Sequence, residues 1–254
     1  MSKQAQLQRQ QRRQAQQAAA VRQRRRRRIF MWVGGLVIVG LVAAIVVAVV
    51  QASGRERTLP EVSGELVVPQ HLTPAGAIPV GAADAPVTVE IYFDYMCPAC
   101  GLFEAANGDE LDRLLADGVA RVELRPIAFL DEQSRGTEYS TRSANAVAVI
   151  ADAAPDRVWA FHTAMYAHQP DEGSEGLSDE QIAAIAADAG VPADVVDRFT
   201  DGTYRPWVAT VTREAFASGV HGTPTVKIDG AVFEGNVYEL GPLTTAIESA
   251  AAGQ

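Results

Sequence analysis

This chain of 254 residues has only two cysteines, three positions apart in Cys97-Pro98-Ala99-Cys100. A pair at that spacing has three uses: exchange with other thiols and disulfides, half of a metal site, or incidental burial in a core. A scaffold stapled by disulfides would carry several pairs, so the fold does not rest on structural bridges. A zinc site needs two more ligands. There is no second cysteine pair, and the four histidines (His71, His162, His168 and His221) make no zinc-type spacing with this one. His162 and His168 are six apart on a helical stretch and share no face well. Redox exchange suits the pair best. No cofactor or metal is expected, only a redox-active Cys97–Cys100 disulfide.

The surroundings of the pair favour a thiolate. Val87 to Phe93 (VTVEIYF) is β-branched and aromatic and reads as a strand. Cys97 follows it and opens a helix, where unpaired N–H groups and the helix dipole favour negative charge. Pro98 fits a first helical turn, which has no use for its missing N–H. The i, i+3 spacing returns Cys100 to the side of Cys97. Cys97 is therefore the expected attacking thiolate and Cys100 the resolving thiol. Tyr92, Phe93 and Tyr95 stand just before the pair, at its rim or in the core.

The elements around this unit alternate in type. Leu102 to Leu115 reads as helix, stopped by Gly118, and Val119 to Ala128 as a second strand, which together make a βαβ start. The stretch from about 136 to 218 is Ala-rich and helical. Its segments are Ser140 to Ala154, Ala160 to Ala167, Asp179 to Ala189 opened by Ser178, Ala193 to Phe199, and Tyr204 to Ser218. Thr225 to Ile228 and Ala231 to Glu234 flank Asp229-Gly230, a strong hairpin signal. Glu239 to Ala252 closes the chain as a helix. The expectation is an α/β domain over 80–254 with a helical insertion. Before it, 51–79 is rich in proline and glycine and reads as a tether, with one short strand at Glu65 to Val68.

The net charge of −9 conceals an asymmetry. Residues 1–28 carry Lys3 and nine arginines with no acid, +10, which leaves −19 for the remainder. So acidic a remainder argues against nucleic acid as its partner. Residues 29–50 form an unbroken apolar run, roughly 33 Å long as a helix and enough to span a bilayer. Arg24 to Arg28 abut its start, which keeps that end cytoplasmic and sends the rest of the chain outward. A signal peptide is the competing reading, but the run is longer than a typical signal core. The expectation is a basic cytoplasmic tail (1–28), a single-pass transmembrane helix (29–50) and an extracytoplasmic domain at the cell membrane.

The sequence also resembles the DsbA-like thioredoxin-fold family over about 80–254. The resemblance rests on Phe93-Asp94-Tyr95-Met96-Cys97-Pro98-Ala99-Cys100, on Gly219-Val220-His221-Gly222-Thr223-Pro224-Thr225, on the Asp229-Gly230 hairpin and on the helical insertion. It implies that Pro224 is a cis-proline beside the cysteines and that the backbone of Thr223 pairs with an extended substrate. Two positions depart from well-known patterns. Thioredoxin relatives often bury an acid six residues before the first cysteine, where this chain has Ile91. Glu90 is one residue off and faces the other side of the strand. Ala99 stands where strongly oxidising relatives have histidine. Asp94 matches a residue common in this branch and could serve through water or as a structural cap.

The activity implied is thiol–disulfide exchange that introduces disulfides into exported proteins, with a membrane partner reoxidising the site. A reductase or isomerase using the same site, and a non-catalytic membrane-tethered binding module, stay open as alternatives.

Overall fold

In the computed structural model of the chain, residues 64–253 are described. The expected basic tail and membrane segment lie outside them. Among the described residues no helix is long and apolar enough to cross a membrane.

Among the described residues five strands form one sheet in the order β1-β3-β2-β4-β5. These are β1 (Ile78–Val80), β2 (Val87–Phe93), β3 (Ala120–Pro126), β4 (Thr225–Ile228) and β5 (Ala231–Val232). β2 and β3 run parallel and are joined by α1 (Pro98–Ala116). The other neighbouring pairs are antiparallel. β2 alternates as a half-buried strand should: Val87, Val89, Ile91 and Phe93 enter the main core. Phe103, Leu111 and Leu114 of α1 and Leu243 and Ile247 of α7 (Pro242–Ala252) belong to the same core.

The insertion holds α2 (Tyr139–Ala153), α3 (Val158–Ala167), α4 (Asp179–Asp188), α5 (Ala193–Val196) and α6 (Arg205–Ala217). α2 is an Ala/Val helix buried almost all round, which marks it as the centre of the layer. Its Asn145 is also buried, and is satisfied by the Phe199 carbonyl and the Tyr204 N–H. This is the α/β arrangement with a helical insertion that the resemblance implies.

Local signals account for most boundaries. Ser178 and Gln181 form a reciprocal capping box at the start of α4. Asp229 and Gly230 both take positive φ, as a tight hairpin turn demands. Three expectations change. No strand forms at Glu65 to Val68; Leu66 and Val68 are exposed, and no strand edge pairs with them. The first strand is instead Ile78–Val80, partly inside the expected tether, and it pairs with β3. The helix expected over Ala193 to Phe199 stops at Val196 and is followed by a 3-10 turn, Phe199–Asp201.

Candidate active site

Cys97 caps the N-terminus of α1 with extended backbone (φ −74°, ψ 115°), and Pro98 occupies the first helical turn. The helix begins at Pro98, in line with Cys97 opening it, because the proline presets φ where no N–H is needed. The Cys97 carbonyl accepts from the N–H of Cys100 (3.0 Å) and of Gly101 (3.3 Å). Both cysteines are free thiols. Cys97 is 8% exposed and Cys100 1%, so the first lies at the mouth and the second beneath it. Pro98 is exposed and Ala99 half-buried.

The second signature arrives through the sheet. Tyr92 pairs with Thr225 across β2 and β4, which brings the preceding Thr223 and Pro224 to the Cys97 end of β2. The Thr223–Pro224 bond is cis. The Cys97 thiol donates to the Thr223 carbonyl at 3.4 Å.

These contacts separate the two sulfurs. The Cys97 thiol is lowered to about 6, first by a hydrogen bond from the Cys100 thiol. Burial opposes the shift, while a side-chain bond from Thr223 and the N–H groups of Cys100 and Ala99 add to it. Cys100 is pushed well above the usual thiol range, first by burial and then by its neighbour Cys97. One sulfur is a thiolate near neutral pH and the other a thiol.

Asp94 is buried and accepts four hydrogen bonds. Met96 N–H (2.8 Å) and Ser140 Oγ (2.7 Å) reach Oδ1, and the N–H groups of Phe129 (2.8 Å) and Leu130 (3.0 Å) reach Oδ2. Burial lifts its carboxyl to about 7 against the pull of these donors. The side chain ties the turn before Cys97 to the loop after β3 and to α2.

Residues outside the two motifs complete the site. Gln169, after α3, donates through Nε2 to the carbonyls of Cys97 (2.8 Å) and Tyr95 (3.1 Å). It lies across Gly101, where an added Cβ would fall 2.1 Å from its Oε1. His162 is fully buried, with Nε2 2.9 Å from Glu104 Oε1 and Nδ1 3.3 Å from the Tyr95 hydroxyl. The Tyr166 hydroxyl donates to the Asp94 carbonyl. Tyr238 is exposed, and its phenol is raised first by burial and then by the charges of Cys100 and Cys97, which sets it near the pair. No local spacing signals these residues, since each reaches the site from tens of positions away in the chain. Glu104 is the exception: it stands one helical turn after Cys100. Among the described residues no group of three or more His, Cys, Asp or Glu side chains converges to hold a metal ion.

A family model described as thioredoxin matches residues 73–247. The chain is similar to the serine/threonine-protein kinase PknE of Mycobacterium tuberculosis, 29% identical over 127 residues. That match covers 48% of this chain and 22% of the kinase, so the chain spans about a fifth of the curated relatives it matches first. It is similar to the crystal structure of reduced DsbA from Mycobacterium tuberculosis, with TM-score 0.58 and 28% identity over 70% of this chain and 98% of that one. It is also similar to MdbA, a thiol-disulfide oxidoreductase from Actinomyces oris, with TM-score 0.62 and 26% identity over 73% of this chain and 93% of that one.

Proposed function

The chain belongs to the thioredoxin family, and we propose that it is a DsbA-like thiol–disulfide oxidoreductase that introduces disulfides into exported proteins. The observation that carries this reading is the split between the two sulfurs. Cys97 is lowered to about 6 at the mouth of the site, and Cys100 is held protonated beneath it. A stabilised Cys97 thiolate favours the dithiol form, which makes the disulfide form the oxidant. A substrate thiolate attacks Cys97 Sγ and forms a mixed disulfide. A second substrate thiolate then attacks the substrate sulfur, and Cys97 leaves as thiolate. The reduced pair passes its electrons to a membrane redox partner.

Thr223 is placed to receive the incoming chain, since its carbonyl already accepts from Cys97. Leu102 and Tyr238, both exposed, offer apolar contact to an unfolded segment. The outward location rests on the apolar run 29–50 and on Arg24 to Arg28, which precede the described residues.

Two variants test the exchange. Cys97→Ala is expected to lose both insulin reduction and oxidative refolding of a reduced, cysteine-containing protein. Cys100→Ala, first charged at Cys97 as the mixed disulfide with glutathione, should accumulate a mixed disulfide with that substrate as glutathione leaves. A non-catalytic binding module would also bury both cysteines, but absence of both activities in the wild type and no trapped adduct belong to that reading alone. The reduction potential settles the direction: a value toward about −120 mV fits an oxidant and one near about −270 mV a reductant.

A further inference from the structure

We propose that the acidic groove between α1 and α3 is a substrate subsite. It takes a basic side chain, arginine or lysine, from an extended polypeptide whose cysteine is exchanging at Cys97. The inference rests on the exchange chemistry proposed above and adds to it a preference among substrates.

The groove has a volume of about 560 Å³, within the range of ligand sites, and starts at Gly101, one turn of α1 beyond Cys97. On the α1 side it passes Glu104, Gly108, Asp109 and Asp112, and on α3 it meets Trp159. No lysine, arginine or histidine lines it. Asp109 and Asp112 are exposed, as solvated acids on a helix usually are. Glu104 is not. Its side chain is 8% exposed, and its Oε1 lies 2.9 Å from His162 Nε2. Its Oε2 lies on the Gly108 side, 3.5 Å from where a Cβ at that position would stand. That oxygen takes no hydrogen bond among the described residues. A carboxylate oxygen so deeply placed needs a donor, and the groove is the side from which one can come.

Trp159 forms the opposite wall. Its Nε1 donates to Asp112 Oδ1 at 3.1 Å, and its ring stacks on His162 at 5.5 Å and 21°. The indole is thereby fixed, half-buried, facing three carboxylates. A guanidinium or ammonium between them gains charge-assisted hydrogen bonds on one side and a cation–π contact on the other. Gly108 keeps the α1 wall low, since a Cβ there would meet only the Glu104 oxygen. The reach fits an extended substrate. Glu104 is seven residues beyond Cys97 and Asp112 fifteen, about 10 and 22 Å along the helix axis. An extended chain advances about 3.3 Å per residue. The groove therefore faces substrate positions about three to seven residues from the exchanging cysteine.

The groove itself makes and breaks no bond. It holds the segment beside the substrate cysteine, so that a basic side chain favours the encounter and an acidic one opposes it. A cation next to the cysteine would also act on the substrate thiol directly. Four residues away, at about 13 Å, that direct effect is screened at ordinary ionic strength, and what is left reports the groove.

The test is rapid mixing of the oxidised full chain with an excess of single-cysteine peptides that carry Arg, Gln or Glu four residues before or after the cysteine. The rate at which the Cys97–Cys100 disulfide opens is read for each. In at least one of the two series the Arg peptide is expected to react about five-fold faster than the Gln peptide, and the Glu peptide more slowly than both. The spread should collapse as salt is raised toward about 1 M. The same peptides are then given to the double variant Asp109→Asn/Asp112→Asn and to Gly108→Lys, which sets a cation in the groove and favours the helix. Both should lose most of the Arg preference. Equal rates for the three peptides in both series overturn the proposal. So does a preference that survives in these variants, since the charge that reads the substrate then lies elsewhere. If the double variant does not fold, Gly108→Lys decides alone. Failure of the exchange reading looks different, because then no peptide opens the disulfide, whatever its charge.

Discussion

Around Cys97 the charge is held mainly by side chains rather than by the helix terminus. The Cys100 thiol comes first and Thr223 follows, ahead of the two N–H groups at the start of α1. The helix terminus is thus the smaller part of the shift, although it alone can be read from a strand followed by Cys-Pro. Asp94 shows the same division. Its place three residues before Cys97 was visible, and its four partners were not. Three of those partners, Phe129, Leu130 and Ser140, lie 35 to 46 positions away. Asp94→Ala would leave four donors unmet, two of them on the loop after β3. We expect a loss of about 3 kcal/mol or more, read as a lower urea midpoint with an unchanged slope. A shift under about 0.5 kcal/mol would mean that the network is not holding the turn.

At the scale of elements, α1 depends on a glycine for a reason that helix propensity opposes. Gly101 sits in the first turns, where alanine would normally stabilise the helix by about 1 kcal/mol. It leaves room for Gln169, which crosses it to reach the carbonyls of Cys97 and Tyr95. Gly101→Ala should push this flexible side chain away. The expected outcome is a melting temperature that holds or rises, together with several-fold slower exchange with a reduced peptide. Unchanged exchange would show that Gln169 is not needed to orient the Cys97 turn.

Other elements are set by their own residues. The Ser178–Gln181 box, the Asp229-Gly230 turn and Gly241-Pro242 ahead of α7 each act within a few positions. β1 is different. It has three residues beside a proline-rich stretch, and only pairing with β3 makes it a strand. Glu65 to Val68 has more β-forming residues but no edge to pair with.

For the molecule as a whole, the redox state and the fold are linked through Cys97. Its folded pKa lies below the unfolded thiol value, so its ionisation stabilises the dithiol form. That contribution is complete above the unfolded value and is lost as pH falls through about 6. An oxidising protein should therefore melt higher when reduced than when oxidised at pH 8. The gap should narrow steadily toward pH 5. Thermal unfolding with and without dithiothreitol measures both. A higher melting point for the oxidised form at pH 8 would argue for the reductant reading.

The sequence by itself determined the chemistry and the architecture. Two cysteines three apart between a strand and a helix favour exchange over a metal site or incidental burial. A helical run between a βαβ start and a closing hairpin defines an α/β domain with an insertion. Those signals are local, because periodicity, capping and turn residues act over a few positions. What only the tertiary structure decided is which groups govern the two sulfurs. Thr223 lies 126 positions from Cys97, Gln169 lies 72 from it, and His162 lies 58 from Glu104. Their meeting depends on how the insertion packs over α1 and how β4 registers with β2.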